Sequence, residues 1–265
     1  MNKLKNADQA AIYLFFWLAV QLIFSFFLPK WSSFSTIFAC ALPIFCLART
    51  GALGARDTNA RCYFWFDYLW FALFLISGCI LLSFFSTFAY ISIGGRVTST
   101  QMPFFYGLVF SCLVPAFFEE WFFRGHILRL CSVFGGAGVL LSGLLFGFSH
   151  LAVVRLPYTI FAGILFSALL YFSRNIYLCM VLHAVSNTTS LCLMRLQGGF
   201  SVTAALLALA VLFALSLALF WRCRLGEDMR ALFLGMERGE FYDALSPLLI
   251  LFFFIAITVS VYNMF

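Results

Sequence analysis

The chain has 265 residues, of which 64% are hydrophobic and only 10% are charged. A soluble domain usually carries about 25% charged residues, and a soluble fold of this size cannot bury so much apolar surface. The net charge of +6 comes from basic residues scattered singly between apolar runs, which is typical of membrane-protein loops. Composition therefore excludes a soluble enzyme, a nucleic-acid binder and a disordered chain, and it predicts a multi-pass membrane protein.

Nine apolar stretches approach or exceed the length of about 20 residues that a membrane-spanning helix needs. Lipid cannot satisfy open strand edges, so each span is expected to be helical. The predicted spans are residues 10–29, 33–48, 63–93, 104–130, 134–153, 157–173, 175–195, 201–221 and 244–264. We predict an all-α, polytopic transmembrane helix bundle of eight or nine spans, forming one domain over residues 1–265.

The basic residues predict how the bundle is oriented, because cytoplasmic loops carry an excess of Lys and Arg. With nine spans, the side that holds the N-terminus receives Lys3, Lys5, Arg49, Arg56, Arg61, Arg129, Arg174, Arg222, Arg224, Arg230 and Arg238. The other side receives only Lys30, Arg96, Arg155 and Arg195. The N-terminus is therefore expected on the cytoplasmic side, in the cytoplasmic membrane if the cell is prokaryotic.

Two adjacent glutamates interrupt the fourth span. Glu120 and Arg124 are four residues apart on one helical face, with the acid first, so they can neutralise each other. Glu119 is turned about 100° away and needs a proton or a partner from another helix. Ionisable residues inside a membrane are by default functional candidates, which also applies to the isolated Asp67 in the third span.

His150 follows Gly143 and Gly147 on one face of the fifth span. The two glycines form a G-x-x-x-G pattern, which lets another helix approach closely. The pattern predicts that His150 points into a helix–helix interface. The predicted span boundaries, however, place His150 near the outer end of the fifth span. They place Glu119 near the middle of the fourth span or inward of it.

A polar stripe follows one face of the seventh span. His183 and Asn187 lie one turn apart on it, and both can donate hydrogen bonds toward one point. Two donors aimed at one point are what a tetrahedral oxyanion requires. The alternative is that the same residues only join helices by hydrogen bonds.

A carboxylate base, a histidine and two oxyanion donors together predict hydrolysis of an acyl bond by activated water. The sequence has no G-x-S-x-G nucleophile motif and no H-E-x-x-H zinc motif, and its nine cysteines form no C-x-x-C pair. The residues alone therefore indicate a water-activating intramembrane hydrolase.

Three motifs carry a family resemblance: Glu119-Glu120-x-x-x-Arg124, Phe146-x-x-x-His150 and His183-x-x-x-Asn187, in this order. They resemble the CAAX prenyl protease and bacteriocin-processing family. The resemblance implies a glutamate-type intramembrane endopeptidase with its core at about residues 104–195 and flanking helices at 10–93 and 201–264.

The resemblance also implies a role for each motif residue. Glu119 with His150 would activate water, and His183 with Asn187 would stabilise the oxyanion. Glu120 and Arg124 would position the substrate or hold the site's architecture. No metal or other cofactor is expected, and the expected partners are the lipid bilayer and a peptide or protein substrate, with or without a lipid group, but no nucleic acid.

The sequence leaves three other functional hypotheses open. A non-catalytic scaffold or immunity-type protein would keep the fold and use its polar residues to bind a partner. A zinc-dependent hydrolase would use Glu119, His150 and His183 as ligands, although we favour a site without zinc. A transporter with a proton relay is disfavoured, because the polar residues converge on one cluster and trace no path.

Overall fold

A computed structural model of the chain describes residues 3–28, 34–40, 61–95, 102–195 and 202–264. All regular secondary structure in these ranges is helical. The helices are α1 (Lys3–Phe27), α2 (Trp65–Ser92), α3 (residues 104–131, in five consecutive segments), α4 (Gly135–Phe148), α5 (Leu156–Ser173), α6 (Ile176–Arg195), α7 (Val202–Arg222), α8 (Arg224–Leu234), α9 (Arg238–Ala244) and α10 (Pro247–Tyr262).

The predicted all-α polytopic bundle is confirmed. Eight of the nine predicted spans correspond to helices with ends close to the predicted boundaries. Most of the remaining span, 33–48, lies outside the described residues. Its described part includes residues 35–40, which are helical. Lys30, Arg49, Arg56 and Arg96, which entered the charge count, also lie outside them. The polar residues after α7 form the short helices α8 and α9.

The longest apolar stretch, Phe104–Phe148, contains 45 residues. A single helix of that length would extend about 67 Å, more than twice the bilayer core of about 30 Å. The stretch instead folds back through a 3-10 turn at Ser132–Phe134, followed by Gly135 with φ of +57°. Glycine adopts this left-handed conformation without steric cost. Helices α3 and α4 are therefore two antiparallel arms of one hairpin.

The register of this hairpin follows from three contacts. A Cβ added to Gly138 would lie 1.9 Å from the Cys131 carbonyl oxygen, so the glycine permits close packing at the base. The rings of Phe123 and Phe146 meet at 5.0 Å between centroids. The same steps along both arms bring Glu119 opposite His150. Glu119 and His150 thus lie at the same depth in the bundle, whereas the predicted span boundaries had placed them at different depths.

Glycines also bring α5 against α4. A Cβ on Gly143 would lie 2.5 Å from the backbone nitrogen of Ile164, and a Cβ on Gly147 would lie 2.3 Å from the Ile160 side chain. On the facing helix, a Cβ on Gly163 would lie 2.5 Å from the Gly143 carbonyl oxygen. The predicted close approach at the G-x-x-x-G pattern is present. Helix α5 is the partner, and it runs antiparallel to α4.

Two apolar clusters enclose the hairpin. One joins α1, α3, α4 and α10, where the Trp17 and Phe122 rings stack at 5.0 Å between centroids. The other joins α2, α5, α7 and α8, where Phe74 stacks with Phe213 and Phe220. The hairpin and α5 therefore occupy the centre of the bundle, and α6 closes it against α3.

Candidate active site

The site is built on an irregular part of α3. Two of its segments, Leu108–Leu113 and Glu120–Ile127, are π-helical, with Pro115 between them. Proline lacks a backbone N–H and disturbs the α-helical hydrogen-bond pattern, and π-helical turns often occur at functional sites. The two glutamates lie where the α-helical segment Val114–Glu119 meets the second π-helical segment.

Glu120 is the centre of a buried ionic cluster. Its Oε1 lies 3.0 Å from Nη1 of Arg124 and 2.7 Å from Nδ1 of His183, which comes from α6. The side chains of Glu120 and Arg124 are fully shielded from solvent. The expected pairing of Glu120 with Arg124 is therefore present, and His183 joins it as a third member.

Aromatic rings and a backbone carbonyl enclose Arg124. Its guanidinium lies 4.2 Å from the Phe146 ring centroid and 5.3 Å from that of Phe166, and its Nη2 donates a hydrogen bond to the Gly163 carbonyl at 3.2 Å. Phe166 also stacks on the His183 ring. Guanidinium over aromatic faces is favourable, especially where it is desolvated. This packing links α3, α4, α5 and α6 around one charge.

Glu119 faces the other neighbour, His150. Its Oε2 lies 4.0 Å from Nε2 of His150. The Nδ1 of His150 lies 2.9 Å from the Phe146 carbonyl oxygen, which can only accept, so Nδ1 carries the hydrogen. The Nε2 atom is therefore the one that faces the carboxylate. Unlike the Glu120 cluster, this pair is partly exposed, with 20% of the His150 side chain accessible.

Asn187 is placed differently from the other motif residues. Its Nδ2 lies 3.5 Å from the carbonyl oxygen of Ser111 on α3. Pro115 cannot donate to that carbonyl, which is four residues earlier. The Asn187 amide thus faces the irregular backbone of α3 on the N-terminal side of the two glutamates. The structure brings five of the six predicted site residues into two adjacent clusters and directs the sixth, Asn187, toward the proline turn.

Asp67, a candidate from its predicted place inside a span, lies at the beginning of α2. Its buried carboxylate accepts hydrogen bonds from the backbone N–H groups of Phe64 at 2.9 Å and Arg224 at 3.1 Å. Carboxylates satisfy the free N–H groups at helix N-termini. Asp67 therefore caps α2 and α8 together and lies outside the site.

Two residues that the motifs did not indicate lie within electrostatic range of Glu119. Arg155, exposed at the beginning of α5, interacts electrostatically with both Glu119 and His150. Tyr158, on the first turn of α5, interacts with Glu119. In the sequence, Arg155 differs from other loop arginines only in following His150 by five residues, and that signal is weak.

The hypothesis of a zinc-dependent hydrolase can be compared with the arrangement of possible metal ligands. Across the described residues, no group of three or more His, Cys, Asp and Glu side chains is arranged to hold a metal ion. In each of the two histidines proposed as zinc ligands, one nitrogen already has a partner, which is Glu120 for His183 and the Phe146 carbonyl for His150.

Fold and site together define a class: a multi-pass, all-helical membrane protein whose polar side chains converge between its central helices. Residues 101–189 match the family model described as type II CAAX prenyl endopeptidase Rce1-like. The matched segment is about a third of the chain and contains all three motifs, so the predicted resemblance to the CAAX protease family is confirmed and supports a membrane protease. Neither the comparison with curated proteins nor that with solved structures gives a match.

Proposed function

We propose that this chain is a metal-independent, glutamate-type intramembrane endopeptidase that hydrolyses a peptide bond with water activated by Glu119 and His150. The observation that carries the proposal is the span of 4.0 Å between Glu119 Oε2 and His150 Nε2. A direct hydrogen bond would be shorter, at about 2.7–3.2 Å, whereas a bridging water fits between the two atoms at about 2.8 Å from each.

The two acceptors would orient this water. Because the His150 Nδ1–H is engaged by the Phe146 carbonyl, Nε2 of the neutral ring offers a lone pair. Glu119 and His150 then each accept one hydrogen of the water, and an oxygen lone pair remains free to attack a carbonyl carbon. One proton passes to this pair as the new C–O bond forms, and the leaving amine receives a proton from it as the C–N bond breaks.

His183 and Asn187 are the proposed oxyanion donors, and the contacts of His183 set a condition on its role. With Glu120 ionised, the Nδ1–H of His183 donates to that carboxylate. The second nitrogen, Nε2, can then donate to an oxyanion only if the ring is an imidazolium. Glu120 and Arg124 hold the ring in place, while Asn187 must turn from Ser111 to reach the same oxyanion.

The decisive experiment compares membrane proteomes of cells that express the native chain with those that express Glu119→Gln. Glutamine keeps the shape of the side chain but cannot accept a proton from water. At least one peptide terminus should disappear in the variant, while the chain itself accumulates normally. Glu237→Gln, at an exposed glutamate before α9, is the matched control. Identical peptide termini in all three samples would favour the scaffold reading.

A further inference from the structure

The turn that follows His150 contains a strained backbone conformation. Leu151 has φ of +51°, in the left-handed region that residues with a side chain rarely adopt. Helices often end on a residue in this conformation, but that residue is usually glycine. The side chain of Leu151 is buried in the apolar cluster that joins α1, α3, α4 and α10. A strained residue of this kind persists only where the surrounding contacts hold it in place.

A side chain from α10 supplies one of these contacts. Nδ2 of Asn263 lies 3.1 Å from the carbonyl oxygen of Leu151, across a sequence separation of 112 residues. A carbonyl can only accept, so the amide of Asn263 donates the hydrogen bond. Leu151 lies beyond the last turn of α4, and no N–H group of that helix reaches its carbonyl. Asn263 therefore satisfies a backbone group of the strained residue, which is costly to leave unpaired in a membrane protein.

The end of α10 is in turn held by α2. The hydroxyl of Tyr90 donates a hydrogen bond of 3.2 Å to the carbonyl of Met264, the residue after Asn263. The backbone N–H of Asn263 donates to the carbonyl of Val259 at 2.9 Å, as in a continuing helix. The backbone of Asn263 is therefore fixed on both sides. Its amide can act as an anchor for the turn after His150.

The contacts of His150 within α4 do not fix this turn. Its Nδ1–H donates to the Phe146 carbonyl at 2.9 Å, and the same carbonyl accepts a hydrogen bond from Ser149 Oγ at 2.7 Å. Both bonds orient side chains relative to α4, and neither restrains the backbone at Leu151. A different backbone conformation there would move Nε2 of His150 relative to Glu119. The separation of 4.0 Å fits one bridging water, so a small displacement would disturb it.

We infer that Asn263 is a positioning residue, whose amide holds the turn after His150 so that His150 and Glu119 stay at the distance that one water bridges. The catalytic consequence of this contact rests on the proposed function, whereas the contact itself does not. Asn263 belongs to none of the three motifs, and it lies outside residues 101–189, which match the family model. The long-range hydrogen bond to Leu151 is the observation that assigns the role.

Two variants separate the amide of Asn263 from its size. Asn263→Leu keeps the shape of the side chain but removes the donor, whereas Asn263→Gln keeps an amide on a longer side chain. Thr258→Val is the matched control on the same helix. It removes an exposed hydroxyl whose hydrogen bond, to the Phe254 carbonyl, stays within α10.

Turnover per folded molecule tests the catalytic role, with a substrate identified by the proteome comparison. Asn263→Leu should lower kcat by about 10-fold to 10²-fold with KM nearly unchanged, because a displacement of about 1 Å is enough for such a loss. Asn263→Gln should recover most of this loss, and Thr258→Val should match the native chain. Native kcat in Asn263→Leu, with only a lower melting temperature, would overturn the inference. Equal losses in the leucine and glutamine variants would overturn it as well.

Hydrogen exchange followed by mass spectrometry tests the contact without any turnover. In Asn263→Leu, the peptide that covers residues 149–155 should exchange faster, while peptides from α6 and from the middle of α3 should exchange at the native rate. Unchanged exchange at residues 149–155 would show that Asn263 does not hold the turn. If Glu119→Gln alters no peptide terminus in the proteome, the proposed hydrolysis fails and the catalytic role of Asn263 fails with it. Faster exchange would still establish the contact in that case.

Discussion

Glu119 and Glu120 are neighbours in the chain, yet they belong to two regions with opposite properties. Glu120 lies in a sealed cluster, where contacts of 2.7 Å and 3.0 Å hold it to His183 and Arg124. Glu119 lies in a looser and partly open region, 4.0 Å from His150 and within electrostatic range of the exposed Arg155. One step along the helix thus changes the partner helix from α6 to α4.

The difference between the two regions separates structural and chemical roles. A buried charge must be paired, and removing its partner is strongly unfavourable. A reactive carboxylate instead needs a free position for water and a route by which water arrives. The sealed cluster of Glu120, Arg124 and His183 meets the first requirement. The pair of Glu119 and His150, called the open pair below, meets the second. The following predictions, from the largest expected effect to the smallest, test whether this division holds.

The largest effect concerns the open pair. Glu119→Gln and His150→Gln should each lower kcat by about 10²–10⁴, because each removes one acceptor of the attacking water. The double variant should be no slower than the slower single variant, since both residues act on one water molecule. Turnover of a substrate identified by the proteome comparison measures this. Multiplicative losses in the double variant would mean that the two residues act independently.

The sealed cluster should respond in stability. Glu120→Gln leaves Arg124 buried without its counter-ion, which should cost about 3–5 kcal/mol and reduce the accumulated protein. Glu237→Gln, at an exposed position, should leave the melting temperature in detergent unchanged. If Glu120→Gln melts like the native protein, the cluster does not stabilise the fold.

Asn187 can belong to either region, and one variant decides between them. If it donates to the oxyanion, Asn187→Ala should lower kcat by about 10²–10³, or about 2.7–4 kcal/mol, with little change in melting temperature. If its bond to the Ser111 carbonyl is its main role, stability falls and turnover per folded molecule does not. Both quantities are measured on one preparation, and we expect the first result.

The glycine contact that positions His150 should have a smaller effect. Gly143→Ala places a methyl group 2.5 Å from the Ile164 backbone, so α4 and α5 must separate, at a cost of about 1–3 kcal/mol. Gly239→Ala on α9 meets no atom within 4 Å and is the control. Thermal unfolding in detergent compares the two, and equal melting temperatures would contradict the tight α4–α5 contact.

The smallest expected effect is that of metal removal. If Glu119 and His150 activate water without a metal ion, a strong chelator should leave turnover unchanged. The purified chain should then hold no stoichiometric zinc. Metal analysis and activity are measured before and after chelation. One zinc per chain, with activity lost on its removal and restored on its return, would establish the zinc-dependent reading instead.

Much of this protein is determined by the sequence itself. Hydropathy is a local property, so eight span positions, the all-helical fold and the three motifs could be read along the chain. The pairing of Glu120 with Arg124 was also predictable, because both lie on one helix at a fixed spacing. The close helix contact at Gly143 and Gly147 followed from the absence of side chains there.

Only the tertiary structure decided which helices supply the partners. Helical periodicity gives directions around one axis, whereas the register between helices depends on turns and packing elsewhere. The turn at Gly135 brought Glu119 level with His150, and the packing of α6 gave His183 to Glu120. Asp67 became a helix cap and Arg155 a neighbour of Glu119 for the same reason, because distances through space are set by how the helices meet.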